Sequence, residues 1–338
     1  MKDNHLISVA LDTPFSIGSV PIRNRIVLAP MSGVTDLPFR RLAFRYGAGL
    51  VVTEMVASRE LVFNAAESWS RLKGAGLTPH MVQLAGREAK WLAEAAIIAE
   101  ANGADIIDIN MGCPAKKVIG GYAGSALMRE PDHALSLIEA TVKAVKIPVT
   151  VKMRLGWDEA SMNAPDIAAR AEAAGVQLVT VHGRTRMQFY EGRANWDAIS
   201  AVRDAIRIPL IANGDVETVE DAREILRRSG ADAVMVGRGC QGRPWHAGVL
   251  VGHAGPDASE IPGLVVEHYK MMLEHYGNEV GVRHARKHLG WYLDRYARDL
   301  ASEAKAAIMT SKDAVFVAAA LERALSASGD AGARQEAA

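Results

Sequence analysis

A (β/α)8 TIM barrel followed by a small C-terminal helical domain is the fold class this sequence predicts, and three observations predict it. Eight short apolar runs recur along the chain, amphipathic Ala-rich segments separate them, and the entrances to the runs are alike. The runs are Ile26-Val27-Leu28-Ala29, Leu50-Val51-Val52-Thr53, Met81-Val82-Gln83-Leu84, Ile106-Ile107-Asp108-Ile109, Val149-Thr150-Val151-Lys152, Leu178-Val179-Thr180-Val181, Leu210-Ile211-Ala212 and Val234-Met235-Val236. Runs this short and this apolar suit parallel strands buried on both faces. Four are entered through glycine-led turns, at Gly47, Gly103, Gly175 and Gly230, where a glycine closes the preceding helix in the left-handed conformation. Two more are entered through Ile147-Pro148 and Ile208-Pro209, where proline stops the helix. A doubly wound sheet is the rival, but Pro30-Met31-Ser32-Gly33 after the first run is no glycine-rich phosphate loop.

Taken in order, Leu6 to Ile22 reads as a hairpin closing the bottom of the barrel. Glu88–Asn102 and Ala164–Ala174 carry apolar residues at helical spacing. Asp36, Asp132 and Asp166 stand near helix starts, where a carboxylate satisfies free N–H groups. The cluster of Gly, Pro, Asp and Ser from Gly255 to Pro262 reads as a linker. Beyond it only helices are predicted: Leu264–Tyr276, Val282–Tyr296, Ser302–Ile308 and Lys312–Leu325. The boundaries are therefore 1–255 for the barrel and 263–327 for the helical region. Residues 328–338, small and polar, form a flexible tail.

Composition narrows the function. The 338 residues carry 39 Lys and Arg against 39 Asp and Glu, so bulk positive charge does not coat nucleic acid, although a local basic patch remains open. Cys113 and Cys240 are the two cysteines, too few for a disulfide framework or a four-thiolate zinc site. The first fourteen residues are interrupted by Lys2, Asp3, His5 and Asp12, and no stretch of eighteen apolar residues exists. The expectation is a soluble cytoplasmic protein, and no motif suggests a metal.

Catalytic groups in such barrels sit at the C-terminal ends of the strands. Those ends supply Pro30 and Met31, Glu54, Gln83, Asn110 with Cys113, Lys152 with Arg154, His182 with Arg184, Asn213-Gly214-Asp215, and Gly237-Arg238. Gly214 and Gly237-Arg238-Gly239 follow the last two strands, the usual phosphate position in this fold, which points to a phosphorylated substrate or a cofactor such as FMN. Lys152 and His182 end adjacent strands. A cation there holds an anionic ring, acts as a base or forms a Schiff base, and spacing does not choose among these. Cys113 lies in a loop of Gly and Pro. An unperturbed thiol is mostly protonated at neutral pH and can donate its proton without a partner base.

These residues fall into motifs that resemble the tRNA-dihydrouridine synthases. The matches are Ala29-Pro30-Met31-Ser32-Gly33-Val34-Thr35-Asp36, Asp108-Ile109-Asn110-Met111-Gly112-Cys113-Pro114, Val151-Lys152-Met153-Arg154-Leu155-Gly156-Trp157, Val181-His182-Gly183-Arg184-Thr185-Arg186, Ala212-Asn213-Gly214-Asp215 and Met235-Val236-Gly237-Arg238. The resemblance runs from about Phe15 to Leu325, and Arg286-Lys287-His288-Leu289-Gly290-Trp291-Tyr292-Leu293 is similar to the B-type bacterial subgroup. It implies that FMN lies across the mouth, backed by Pro30 and Met31. Gln83, Lys152 and His182 would bond the polar edge of its ring, and Asn213, Asp215, Gly237 and Arg238 would surround its phosphate. It further implies reduction by NADPH, hydride transfer to a uracil of the tRNA D-loop, and protonation of that base by Cys113. Asn110 would help hold the uracil or the flavin.

The segment Arg283–Arg298 holds five Arg or Lys and one acid, Asp294. Arg283, Arg286 and Lys287 are the candidate RNA contacts there, with Arg184 at the barrel rim. Two other functions share part of the pattern. A flavin barrel acting on a free pyrimidine, of the dihydroorotate or dihydropyrimidine type, needs no basic appendage. A non-catalytic RNA-binding regulator needs neither Cys113 nor Lys152.

Overall fold

The computed structural model describes residues 10–115, 118 and 123–336. Strands β1 (Phe15–Ile17) and β2 (Val20–Ile22) form an antiparallel hairpin. Residues 6–9 of the expected hairpin lie outside the described residues. Nine strands follow: β3 (Ile26–Leu28), β4 (Leu50–Val51), β5 (Val56–Ala57), β6 (Met81–Ala85), β7 (Ile106–Met111), β8 (Val149–Arg154), β9 (Leu178–His182), β10 (Leu210–Asn213) and β11 (Ala233–Val236). They pair in parallel in the order β4-β3-β11-β10-β9-β8-β7-β6-β5. A parallel bridge between Val52 and Met81, with the Thr53 N–H bonded to the Met81 carbonyl at 3.1 Å, closes the ring. The predicted run at 50–53 is thus one barrel position split in two, with β5 picking up the top of β6. Between the halves, the Glu54 carboxylate accepts the Gly33 N–H from the loop after β3.

Period-two alternation sorts the strand residues. Val82, Leu84, Ile107, Ile109, Val149, Val151, Val179, Val181, Val234 and Val236 point outward into the layer between ring and helices. The inward residues change character along the axis. At the bottom Leu50, Met81, Ile106, Leu178, Ile211 and Ala233 pack with Ile17 and Ile22 of the hairpin, which stoppers the barrel. One step higher lie Gln83, Asp108, Thr150 and Thr180, all buried and polar. Higher still, Asn110 pairs in register with Lys152, and His182 with Asn213. The apolar floor stabilises the ring, and the polar residues are held at one end by strand register.

The turns behave as their glycines require. Gly47, Gly103, Gly175 and Gly230 all have positive φ, between 66° and 111°. Asp36 caps the Leu37–Arg45 helix by accepting the Phe39 N–H at 3.0 Å. Asp132 and Asp166 instead lie in first turns without capping, and both pair with Arg170.

Among the described residues four helices follow the barrel: Ile261–Tyr276, Asn278–Tyr296, Ser302–Thr310 and Ala314–Glu336. The last continues through residues 328–336, read above as a tail; residues 337–338 lie outside the described ones. These helices have an apolar core of their own, built on Val265, Tyr269, Leu289, Tyr292 and Leu321, into which Trp245 of the barrel inserts. Two histidines occupy the seam. His268 and His288 stack edge to face at 5.0 Å, and both meet Phe39 of the barrel.

Neither ring nitrogen of His288 has a protein hydrogen-bond partner. Burial pushes both imidazoles down, His268 to about 3 and His288 well below the ordinary histidine value, so both are neutral. The unfolded chain protonates them near ~6.5. Their stabilisation is therefore complete above that pH and is lost as the pH falls toward 3. Each should contribute a slope of about 1.4 kcal/mol per pH unit in that window. His288→Leu should flatten the dependence of unfolding free energy on pH between 6 and 5 by one such slope. An unchanged slope in urea titrations would show that His288 carries a proton in the fold.

Candidate active site

The polar end of the ring opens into a cavity of about 1170 Å³. Pro30, Met31, Gln83, Asn110, Cys113, Lys152, His182, Asn213, Asp215, Gly237 and Arg238 all line it. Sequence positions spread over more than 200 residues therefore meet at one mouth, as the strand-end argument requires.

Cys113 is fixed by its backbone. Its N–H donates to Asn110 Oδ1 at 3.0 Å, its carbonyl accepts from Ser125 Oγ at 2.9 Å, and Arg154 Nε binds the preceding Gly112 carbonyl at 2.8 Å. Arg154 is itself held by the carbonyls of Thr185 and Phe189. Asn110 is tied in turn, its Nδ2 donating to Gln83 Oε1 at 2.7 Å, while Gln83 Nε2 donates to Asp108 Oδ2 at 2.6 Å. Thr150 Oγ1 donates to the other oxygen of Asp108 at 2.6 Å. This buried chain runs from the barrel centre to the cysteine loop. It assigns Asn110 the work of positioning Cys113, and it leaves Gln83 one N–H beyond the network. Burial raises the Cys113 thiol above its ordinary value, so it stays protonated at neutral pH. Asp108 is likewise raised by burial.

Lys152 is partly buried. Its Nζ donates to Asn213 Oδ1 at 3.2 Å, and Asn213 Nδ2 donates to the Met235 carbonyl at 2.8 Å. Among the described residues it makes no ion pair within 4 Å. Burial, and then the charge of Arg154, push it down to about 8, with Asp108 opposing. A desolvated ammonium facing a cavity and bonded to a neutral amide has the chemistry that suits an anion.

His182 is held well below its ordinary value, by burial first and then by the charges of Lys152, Arg154, Arg184 and Arg238. It is neutral, and Arg184 Nη1 lies 3.3 Å from its Nε2. Because arginine only donates, Nε2 accepts and the ring proton sits on Nδ1.

Arg184 requires a correction. It is not at the rim: it is 1% exposed and does not line the cavity. It forks onto both carboxylate oxygens of Asp215, at 2.9 and 2.6 Å, and binds the carbonyls of Glu191 and Gly192. Its donors are taken up inside the fold, on Asp215 and on two backbone carbonyls. Asp215 also accepts the Ala194 N–H and pairs with Arg238 at 3.0 Å. Burial alone would raise this carboxyl, but those hydrogen bonds and both arginines outweigh it and hold it low. Its pairing with Arg238 fixes where that guanidinium stands at the cavity wall.

The basic helix is also redistributed. Arg286 Nη2 donates to the Thr310 carbonyl at 3.1 Å, turned toward the neighbouring helix rather than outward. Arg283 is exposed and, among the described residues, pairs only with Glu279, one turn away. Lys287 overhangs the β3 loop, where a Cβ added at Gly33 would meet its Nζ at 2.6 Å. Sequence reasoning named Arg154 among the strand-end groups without giving it a role, and did not assign Asp108, Thr150 or Tyr190 to the site. Asp108 and Arg154 stood inside the quoted motifs, while the cavity residue Tyr190 carried no local signal.

Among the described residues no group of three or more His, Cys, Asp or Glu is placed to hold a metal, and no helix is long and apolar enough to cross a membrane. In overall shape the chain is similar to morphinone reductase, at a TM-score of 0.55 and 16% identity over 75% of this chain and 93% of that one. This likeness concerns the barrel fold alone. In sequence it is 76% identical to a probable tRNA-dihydrouridine synthase of Rhizobium leguminosarum bv. phaseoli, over 90% of this chain and 96% of that protein. It is 46% identical to tRNA-dihydrouridine synthase B of Pseudomonas aeruginosa, over 82% of this chain and 86% of that protein. The dihydrouridine synthase family model matches residues 27–328, nearly the whole chain, and the chain belongs to that family.

Proposed function

We propose that this protein reduces uridine in tRNA to 5,6-dihydrouridine, with FMN held in the barrel mouth and NADPH as the reductant. One observation carries the reading: Lys152, a cation without an ion-pair partner among the described residues, and a protonated thiol, Cys113, face the same cavity in a member of this family. When bound, the flavin supplies hydride chemistry. The donor set suits it. Lys152 offers positive charge to a reduced, anionic ring and is preorganised by Asn213. The neutral His182 offers an Nδ1–H, and Pro30 with Met31 forms an apolar wall. Arg238, steadied by Asp215, and the turn beginning at Gly237 suit a phosphate.

Cys113 donates the proton that completes reduction of the 5,6 double bond, and Asn110 keeps it in place. Residues 1–255 form the catalytic part, and 263–327 carry the tRNA, with Arg283 and Lys287 as contacts. A D-loop uridine is the target, and the enzyme works in the cytoplasm. Chemistry on a stacked base requires its extrusion.

Purified protein should be yellow, and its reduced form should be reoxidised by bulk tRNA but not by free uracil. Mass spectrometry should then find dihydrouridine in the tRNA. Lys152→Ala should weaken flavin binding or slow its reduction. A colourless preparation that takes up no FMN overturns the reading, and reoxidation by free uracil alone transfers it to the free-pyrimidine class.

A further inference from the structure

Beside the mouth lies a second cavity, of about 250 Å³, lined by Arg238, Gln241, Trp291, Asp294, Arg295 and Arg298. Arg238 and Gln241 also line the large cavity, so the two spaces share a wall. One side belongs to the turn after β11 and the other to the end of the Asn278–Tyr296 helix and the residues after it. Their relative placement is fixed by close backbone contact. Gly242 has φ +69°, and a Cβ there would stand 2.9 Å from the Trp291 carbonyl oxygen.

The charges in this cavity are one-sided. Arg295 and Arg298 are exposed, and neither forms an ion pair among the described residues. Arg243 stands nearby, its Nε bonded to the Gly239 carbonyl at 2.7 Å; burial first and then the charge of Arg295 lower it, while Glu217 opposes. The one carboxylate in the lining, Asp294, is bonded to Lys305. Within the lining Arg295 and Arg298 face no free carboxylate, and an anion that enters between them relieves their mutual repulsion. Each offers the forked donor pattern that suits phosphate oxygens, and Trp291 completes the lining.

We propose that this cavity is a phosphate subsite for a nucleotide ligand whose other end occupies the mouth. The proposal rests on the mouth being the nucleotide-reducing site inferred above. The shared chemistry is a phosphate attached to a ribose, and two ligands of that site bring one: the dinucleotide reductant and the RNA strand flanking the target uridine.

Arg295→Ala/Arg298→Ala is the test, made in the flavin-loaded full chain, with bound-flavin absorbance as the check that the fold and mouth are intact. Two half-reactions are followed separately: flavin reduction by NADPH or NADH, and reoxidation by bulk tRNA. Losing charge-assisted hydrogen bonds to phosphate should raise the half-saturating ligand concentration roughly ten- to a hundredfold in one arm. A loss for NADPH but not NADH places the reductant's 2′-phosphate there, and a loss for both places its diphosphate there. A loss confined to tRNA, with the salt slope of tRNA binding reduced by about one per contact, places the RNA backbone there. Arg295→Lys/Arg298→Lys should recover part of the loss. If both arms and the salt slope match wild type, the subsite is overturned. If wild-type protein itself neither takes flavin nor turns over tRNA, the functional reading fails instead. The subsite then stands or falls on equilibrium binding of NADPH and tRNA to wild type and variant.

Discussion

Cys113→Ala is expected to bind flavin normally, to be reduced by NADPH at the wild-type rate, and to lose the tRNA half-reaction by ~10²–10⁴-fold, the usual range for a missing general acid. The thiol stays protonated because burial disfavours its thiolate, so it is stocked as an acid without help from a base. Its loop is held at both ends, by Asn110 from below and Ser125 from the side. The alanine side chain leaves those backbone bonds intact, so the change removes a proton rather than a structure. Single-turnover reoxidation of the reduced protein by tRNA measures this directly. Cys240→Ala is the control: Cys240 is fully buried in the apolar layer, burial pushes it up to about 12, and it does not line the mouth. A wild-type tRNA rate in Cys113→Ala would remove the proton-donor assignment.

The barrel was legible because its signals are local. Four glycines at strand entrances announced left-handed helix ends, and four positive φ values answer them. The site was legible to the extent that strand periodicity determines which residues face inward. Lys152 ends its run and His182 and Asn213 directly follow theirs, where the alternation leaves them on the inner face.

What remained hidden is where a long charged side chain goes after it leaves the backbone. Arg184 lies just past a strand end, where sequence alone cannot separate a guanidinium folded back onto Asp215 from one offered to a ligand. Arg286 is a similar case. It shares a basic helix with Arg283 and Lys287, yet its fork ends on the Thr310 carbonyl. The split of β4 from β5 was also invisible, because Val52-Thr53 continues an apolar run and only the Glu54 bond to Gly33 shows why the strand breaks.

Asp215 yields the largest expected effect on stability and on flavin binding together. Asp215→Ala leaves Arg184 buried with its charge unpaired, and breaking a buried pair from one side typically costs ~3–5 kcal/mol. Asp215 is 27% exposed, so water reaches the vacated space and the lower end, about 3 kcal/mol, is expected. The backbone matters too. Asp215 has φ +53°, a conformation that Asp and Asn tolerate better than Ala. Asp215→Asn therefore separates the two causes, since it keeps the left-handed preference and removes only the negative charge. It should recover the backbone part of the loss and little of the rest. Arg184→Met in the Asp215→Ala background should be less destabilised than Asp215→Ala alone, because no buried charge is then left unpaired. Urea unfolding of flavin-free protein measures these differences, and titration with FMN measures the second consequence. Arg238 loses its anchor and His182 sits beside a loosened Arg184, so flavin affinity should fall in both Asp215 variants. If Asp215→Ala unfolds within about 0.5 kcal/mol of wild type, the ordinary range for a neutral surface change, and still binds FMN as tightly, then the Arg184–Asp215–Arg238 chain does not hold the phosphate end of the site.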